Sequence, residues 1–126
     1  MSVVLDASAL LAFLQNEPGS DVVAKLLGGS LISTVNWCEV IQKSLAKDVD
    51  ISGLSDDVAA LGVSIQPYTL EQAETAGQLW LKTRTLGLSL GDRSCLALGL
   101  EQGFPVLTTD KAWRMLDIGL DIRVIR

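Results

Sequence analysis

The chain has 126 residues, 15 of them acidic and 10 basic, for a net charge of −5, with two cysteines and no histidine. That length suits one domain over residues 1–126, and 48% hydrophobic content supplies a core that needs no metal or disulfide merely to fold. Histidine-ligated zinc, Ser-His-Asp triads and Cys-His pairs are excluded, and the acid excess argues against a simple basic surface for nucleic acid.

Residues 3–5 read as a short β-branched strand and 7–14 as a helix. A second helix is expected over 20–27, closed by Gly28 and Gly29. Residues 31–33 read as a strand, after which Thr34 is expected to cap a helix over 35–47. Residues 51–61 read as a helix ending at Gly62, and 63–66 as a strand stopped by Pro67. Thr69 caps a long helix to about residue 86, with Glu71 and Glu74 in its first turns. A helix over 90–102 ends at Gly103. Residues 105–108 form a strand, Asp110 starts a short helix, and 122–125 form the last strand. Short apolar strands alternating with helices define an α/β domain with a mostly parallel sheet covered on both faces. In such sheets ligands bind beyond the carboxyl ends of the strands.

The apolar start holds no basic residue and Asp6 interrupts it, so it is not expected to act as a signal peptide, and no apolar run approaches the ~20 residues of a membrane span. The expected location is cytoplasmic, with no membrane contact. Cys38 and Cys95 lack a CxxC partner and are expected on buried helix faces.

Most acids have ordinary places at helix N-termini or in solvated loops; four need more. Asp6 and Asp110 each follow a strand directly, where ligand sites form, although aspartate is also a favoured N-cap. Asp92 shares a helix face with Cys95, Leu96, Gly99 and Gly103. A carboxylate on a packed face needs donors or a cation, while a first-turn dipole role is the simpler alternative. Gly99 costs such a helix about 1 kcal/mol relative to alanine, which close approach of another element would explain. Glu39 lies in mid-helix at the edge of an apolar arc of Val35, Cys38, Ile41 and Leu45, or is a solvated boundary residue. Together, several carboxylates without histidine suit Mg²⁺ or Mn²⁺. One or two such ions support in-line hydrolysis of a phosphodiester.

The segments around these acids resemble the motifs of PIN domains, VapC-type toxins in particular. Val4-Leu5-Asp6-Ala7-Ser8-Ala9-Leu10-Leu11-Ala12 is similar to the opening motif, and the run from Leu31 to Val40, with Glu39 near its end, to the second. The run from Leu88 to Leu98 around Asp92 is similar to the third, and that from Val106 to Trp113 around Asp110 to the fourth. The resemblance covers essentially the whole chain. It implies a PIN-like fold with a mostly parallel five-stranded sheet flanked by helices on both faces. It further implies a Mg²⁺- or Mn²⁺-dependent endoribonuclease whose catalytic and metal-binding acids are Asp6, Glu39, Asp92 and Asp110. Ser8 matches the hydroxyl that accompanies the first aspartate and would orient it; Thr108 and Thr109 are candidates for the same task. A VapB-type antitoxin, a homodimer and structured RNA targets, often tRNA, are implied as partners.

Arg93, Lys111 and Arg84 are candidate RNA contacts, with Lys82 and Arg114 behind them. Trp37 is expected in the core or on a dimer surface. The competing reading is a PIN scaffold that binds RNA or a protein without cutting. A haloacid-dehalogenase-type phosphatase would want an aspartate where Ser8 stands. The charge then reads differently: residues 1–63 carry all of the −5, and without the four proposed ligands the chain has 11 acids to 10 bases.

Overall fold

A computed structural model describes residues 2–126. Its strands are β1 (Val4–Leu5), β2 (Leu31–Ser33), β3 (Ser64–Gln66), β4 (Val106–Thr108) and β5 (Ile122–Val124). Its helices are α1 (Ala7–Leu14), α2 (Ser20–Leu26), α3 (Thr34–Ala46), α4 (Leu54–Ala60), α5 (Leu70–Thr83) and α6 (Leu90–Gln102). The five strands form one parallel sheet in the order β3-β2-β1-β4-β5. The chain therefore leaves the central β1 in one direction, through β2 and β3, and crosses back to lay β4 on its other side. That reversal opens a crevice at the carboxyl ends of β1 and β4.

Strand alternation sorts the core into two layers. Val3 and Leu5 pack with Leu10, Val23, Val40 and Val58 on one face, while Val4 and Val106 pack with Leu79, Leu96, Leu98 and Trp113 on the other. α6 approaches β4 closely because residue 99 is glycine: a Cβ there would stand 2.5 Å from Val106 Cγ2. This meets the expectation for Gly99. The limits of α6 also match, since Ser89 and Asp92 form a reciprocal capping box and Gly103 closes the helix at φ 68°.

Four expectations need correction. Ser33, not Thr34, caps α3, accepting the Val35 N–H at 3.2 Å. The helix expected from residue 51 begins only at Leu54, because Gly53 turns left-handed at φ 72° and Asp50 instead caps the Ser52 N–H in a turn. α5 ends at Thr83 and tightens into a 3-10 turn over Arg84–Leu86. The inward stripe of α3 is Asn36, Val40 and Ser44, whereas Leu45 and Cys38 are exposed. The apolar arc assigned to α3 was thus rotated, because its true inner face is small and polar where it meets the site. Cys95 is buried, as expected, and Trp37 is half-buried against the α1-side core. Among the described residues no helix is long and apolar enough to cross a membrane.

Candidate active site

The register of β1 and β4 builds the first half of the site. Leu5 pairs with Leu107, so the next residues, Asp6 and Thr108, emerge side by side at the sheet's carboxyl edge. Asp6 is buried, 5% exposed, and caps α1. Its Oδ1 accepts from Ser8 Oγ at 2.7 Å and from the Ala9 N–H at 2.8 Å, and its Oδ2 accepts from Thr108 Oγ1 at 2.5 Å. The N-cap reading of Asp6 therefore holds, and the same side chain faces the crevice. Ser8 Oγ also accepts the Thr109 N–H at 3.0 Å, and Thr108 Oγ1 the Asp110 N–H at 3.1 Å. Two hydroxyls thus tie the loops after β1 and β4 together and aim Asp6. Thr109 takes part through its backbone rather than its hydroxyl.

The second half comes from α3 and α6. Asn36 Nδ2 donates to Glu39 Oε1 at 2.9 Å and to the Gly91 carbonyl at 3.0 Å, clamping the two helices beside the crevice. The Glu39 carboxylate lies over Gly91 so closely that a Cβ there would be 2.6 Å from its Oε1. Asp92 follows, one oxygen accepting the Ser89 N–H at 2.9 Å. Asp110 caps the 3-10 turn Lys111–Met115 through the Ala112 N–H at 2.9 Å. Neither Asn36 nor Gly91 stood out in the sequence. The Glu39-to-Asn36 spacing, one helical turn, was the only available signal.

All four predicted acids line one cavity of about 160 Å³, together with Ala7, Ser8, Asn36 and Lys43. Burial raises the Asp6 pKa to about 6, against the lowering by its Thr108, Ser8 and Ala9 hydrogen bonds, and the Asp92 charge raises it further. The Cys95 thiol beneath is pushed well up by burial and then by Asp6, Asp92 and Glu39, so it stays neutral. Among the described residues none of the four acids forms an ion pair.

The donors suit a hard divalent cation. They are carboxylate oxygens without histidine, they carry uncompensated charge, and one is buried. Asn36 Oδ1, a buried acceptor without a donor among the described residues, belongs to the same wall. Among the described residues no three acidic or thiol side chains converge enough to grip an ion alone.

The structure brings none of Arg93, Arg84 or Lys111 to this cavity. Arg93 donates to the Ala76 carbonyl of α5 at 2.9 Å, and Arg84 lies over the Trp80 ring, 5.3 Å from its centroid. Lys111 is exposed in the turn after Asp110, and Lys82 and Arg114 are exposed elsewhere. The cation at the cavity is instead Lys43, one turn beyond Glu39 on α3.

A parallel sheet with four carboxylates lining a crevice at its switch point defines an α/β domain with a ligand site at its strand ends, and sequence comparison narrows the class. The PIN domain model matches residues 3–119, and the chain belongs to that family. No curated protein matches significantly. Among solved structures, the fold is similar to DNA-bound VapBC from Salmonella typhimurium, with TM-score 0.72 and 17% identity over 98% of this chain and 97% of that one. It is similar to VapC20 of Mycobacterium tuberculosis, a sarcin-ricin-loop-cleaving toxin, with TM-score 0.73 and 12% identity over 94% and 98%. FitAcB from Neisseria gonorrhoeae gives TM-score 0.68 and 18% identity over 95% of each chain.

Proposed function

We propose that the chain is a Mg²⁺- or Mn²⁺-dependent endoribonuclease of the VapC toxin type, hydrolysing phosphodiester bonds in structured RNA, tRNA foremost, and held inactive by a VapB-type antitoxin. One observation carries the reading: carboxylates from four distant points of the chain line a single cavity at the sheet's switch point without a pairing cation. Asp6 and Asp92 are the main holders of one or two ions. Glu39 holds an ion or orients water, and Asp110 acts through water. A divalent ion bound there would activate water and neutralise charge on the phosphate.

The protein's own groups do the rest. Ser8 and Thr108 fix the direction of Asp6, and Asn36 with Gly91 fixes that of Glu39. The products are a 5′-phosphate and a 3′-hydroxyl. A homodimer is part of the proposal, supported by Leu70 and Leu81, 70% and 68% exposed on one face of α5.

The test is cleavage of a tRNA pool with Mn²⁺, with Mg²⁺ and with EDTA, by the wild type and by Asp6→Asn and Asp92→Asn. Metal-dependent cutting that both variants lose while folded is expected. Equal cutting by the folded variants would sink the assignment. Neither cutting nor a thermal shift with Mn²⁺ would favour a PIN scaffold that binds without cleaving.

A further inference from the structure

Beside the carboxylate cavity lies a larger one of about 310 Å³, and the two share Ser8 and Lys43 as walls. Its floor is Leu11 and Ala46, and its remaining cations are Lys47 and Arg126. Glu17 is the single acid in its lining and is already engaged, 4.0 Å from Lys47 Nζ and 3.7 Å from Arg126. The cavity is therefore net positive, next to one that is strongly negative. Lys43 forms no ion pair among the described residues, although it borders four carboxylates. Its ammonium is not committed to neutralising them.

The placement is selective. Residues 1–63 carry only three basic side chains, Lys25, Lys43 and Lys47. Two of the three line this cavity, in the half of the chain that holds the whole acid excess. An anionic polymer approaching a four-carboxylate crevice meets repulsion unless a neighbouring phosphate finds cations.

We infer that the Lys43–Lys47–Arg126 cavity is the subsite for the ribonucleotide flanking the scissile phosphate. Lys43 takes the adjacent backbone phosphate, Lys47 takes the next by exchanging its exposed contacts with Gln15 and Glu17, and the Leu11–Ala46 floor takes the face of the nucleotide. Lys43, bordering both cavities, sets how far the bond to be cut lies from the bound neighbour. A protein tail could also fill a cavity of this size, but net positive charge beside the four carboxylates matches a polyanion.

The inference rests on the ribonuclease reading, and the experiment separates the two. A short, fluorescein-labelled single-stranded RNA of mixed sequence is titrated by anisotropy across a salt series. Ca²⁺ replaces Mg²⁺, and the probe is checked intact on a gel. Each lost phosphate contact lowers the slope of log K against log salt by about 0.7, or about fivefold in affinity near 0.1 M salt. Lys43→Ala and Lys47→Ala should each show that loss, and Lys43→Arg should restore it. Lys25→Ala, outside both cavities, should change nothing. Unchanged slopes in both alanine variants, with a wild type that binds RNA and cuts tRNA, would overturn the subsite and leave the nuclease intact. A wild type that neither binds this RNA nor cuts tRNA would overturn both.

Discussion

Asp6 carries a stability cost that can be measured without any RNA. Burial raises its pKa from 3.8 to about 6 in the folded protein. At 1.36 kcal/mol per pKa unit, holding it ionised costs the metal-free fold on the order of 3 kcal/mol. The sign follows from the direction. A raised folded pKa contributes stability that is fully present below the unfolded value, 3.8, and is lost as pH rises through about 6. Asp6→Asn removes the charge but keeps the shape. Its carbonyl can still accept from Ser8 and Ala9, whereas its amide faces Thr108 Oγ1, which must then accept rather than donate. That reversal costs about 1 kcal/mol, leaving a net gain on the order of 2 kcal/mol above pH ~7. For a chain of this size the gain is roughly 6–12 °C in Tm. Urea unfolding of both proteins in EDTA, from about pH 4 to 8, reads the difference between two stability curves. The gap should open in favour of the Asp6→Asn variant as pH rises and close, or reverse, on adding Mn²⁺, which stabilises the wild type alone. Parallel curves, or a variant less stable at pH ~8 in EDTA, would refute the claim that the fold carries an uncompensated carboxylate at this position.

Gly91→Ala should separate site from fold. The helix gains up to ~1 kcal/mol of propensity, but the new Cβ, 2.6 Å from Glu39 Oε1, displaces that carboxylate; Tm in EDTA should hold while the Mn²⁺-dependent shift shrinks. Thr108→Val removes a donor to a buried charge and should cost about 1.5–3 kcal/mol at neutral pH, less near pH 4 where Asp6 is protonated, as urea curves at the two pH values would read. Gly99→Ala should behave oppositely to Gly91→Ala. Its Cβ meets Val106 Cγ2 at 2.5 Å and Leu120 Cδ2 at 3.1 Å, so overpacking costs ~1–3 kcal/mol of stability with the Mn²⁺ shift unchanged.

The legible parts of the fold were those set by local chemistry. α6 could be read to the residue because Ser89, Asp92 and Gly103 act within a few positions of each other. The start of α4 could not, since Asp50 and Gly53 outcompete the helical pattern that Ile51 begins. α3 misled for a different reason. Leu45 and Cys38 suggested an inner face, yet the face that turns inward carries Asn36 and Ser44, because the α3–α6 junction is held by a hydrogen bond across 55 positions. No period within one helix encodes that partner.

The site divides along the same line. Asp6 and Asp110 could be placed because each ends a strand, and parallel order sends strand ends to one edge. Which strand stands beside β1 is decided by the crossover, and only that makes Thr108 the donor to Asp6 rather than another threonine. The basic residues show the limit most clearly. Arg93 and Lys111 adjoin acids in sequence, but consecutive helical residues face about 100° apart, so adjacency to Asp92 turns Arg93 away to the Ala76 carbonyl. Lys43 is four residues from Glu39, the spacing that shares a helix face, and it is the cation that borders the acids. The sequence rule that places a partner beside a helical site residue is therefore one turn, not one position, and here it selects the lysine on which the predicted RNA contact depends.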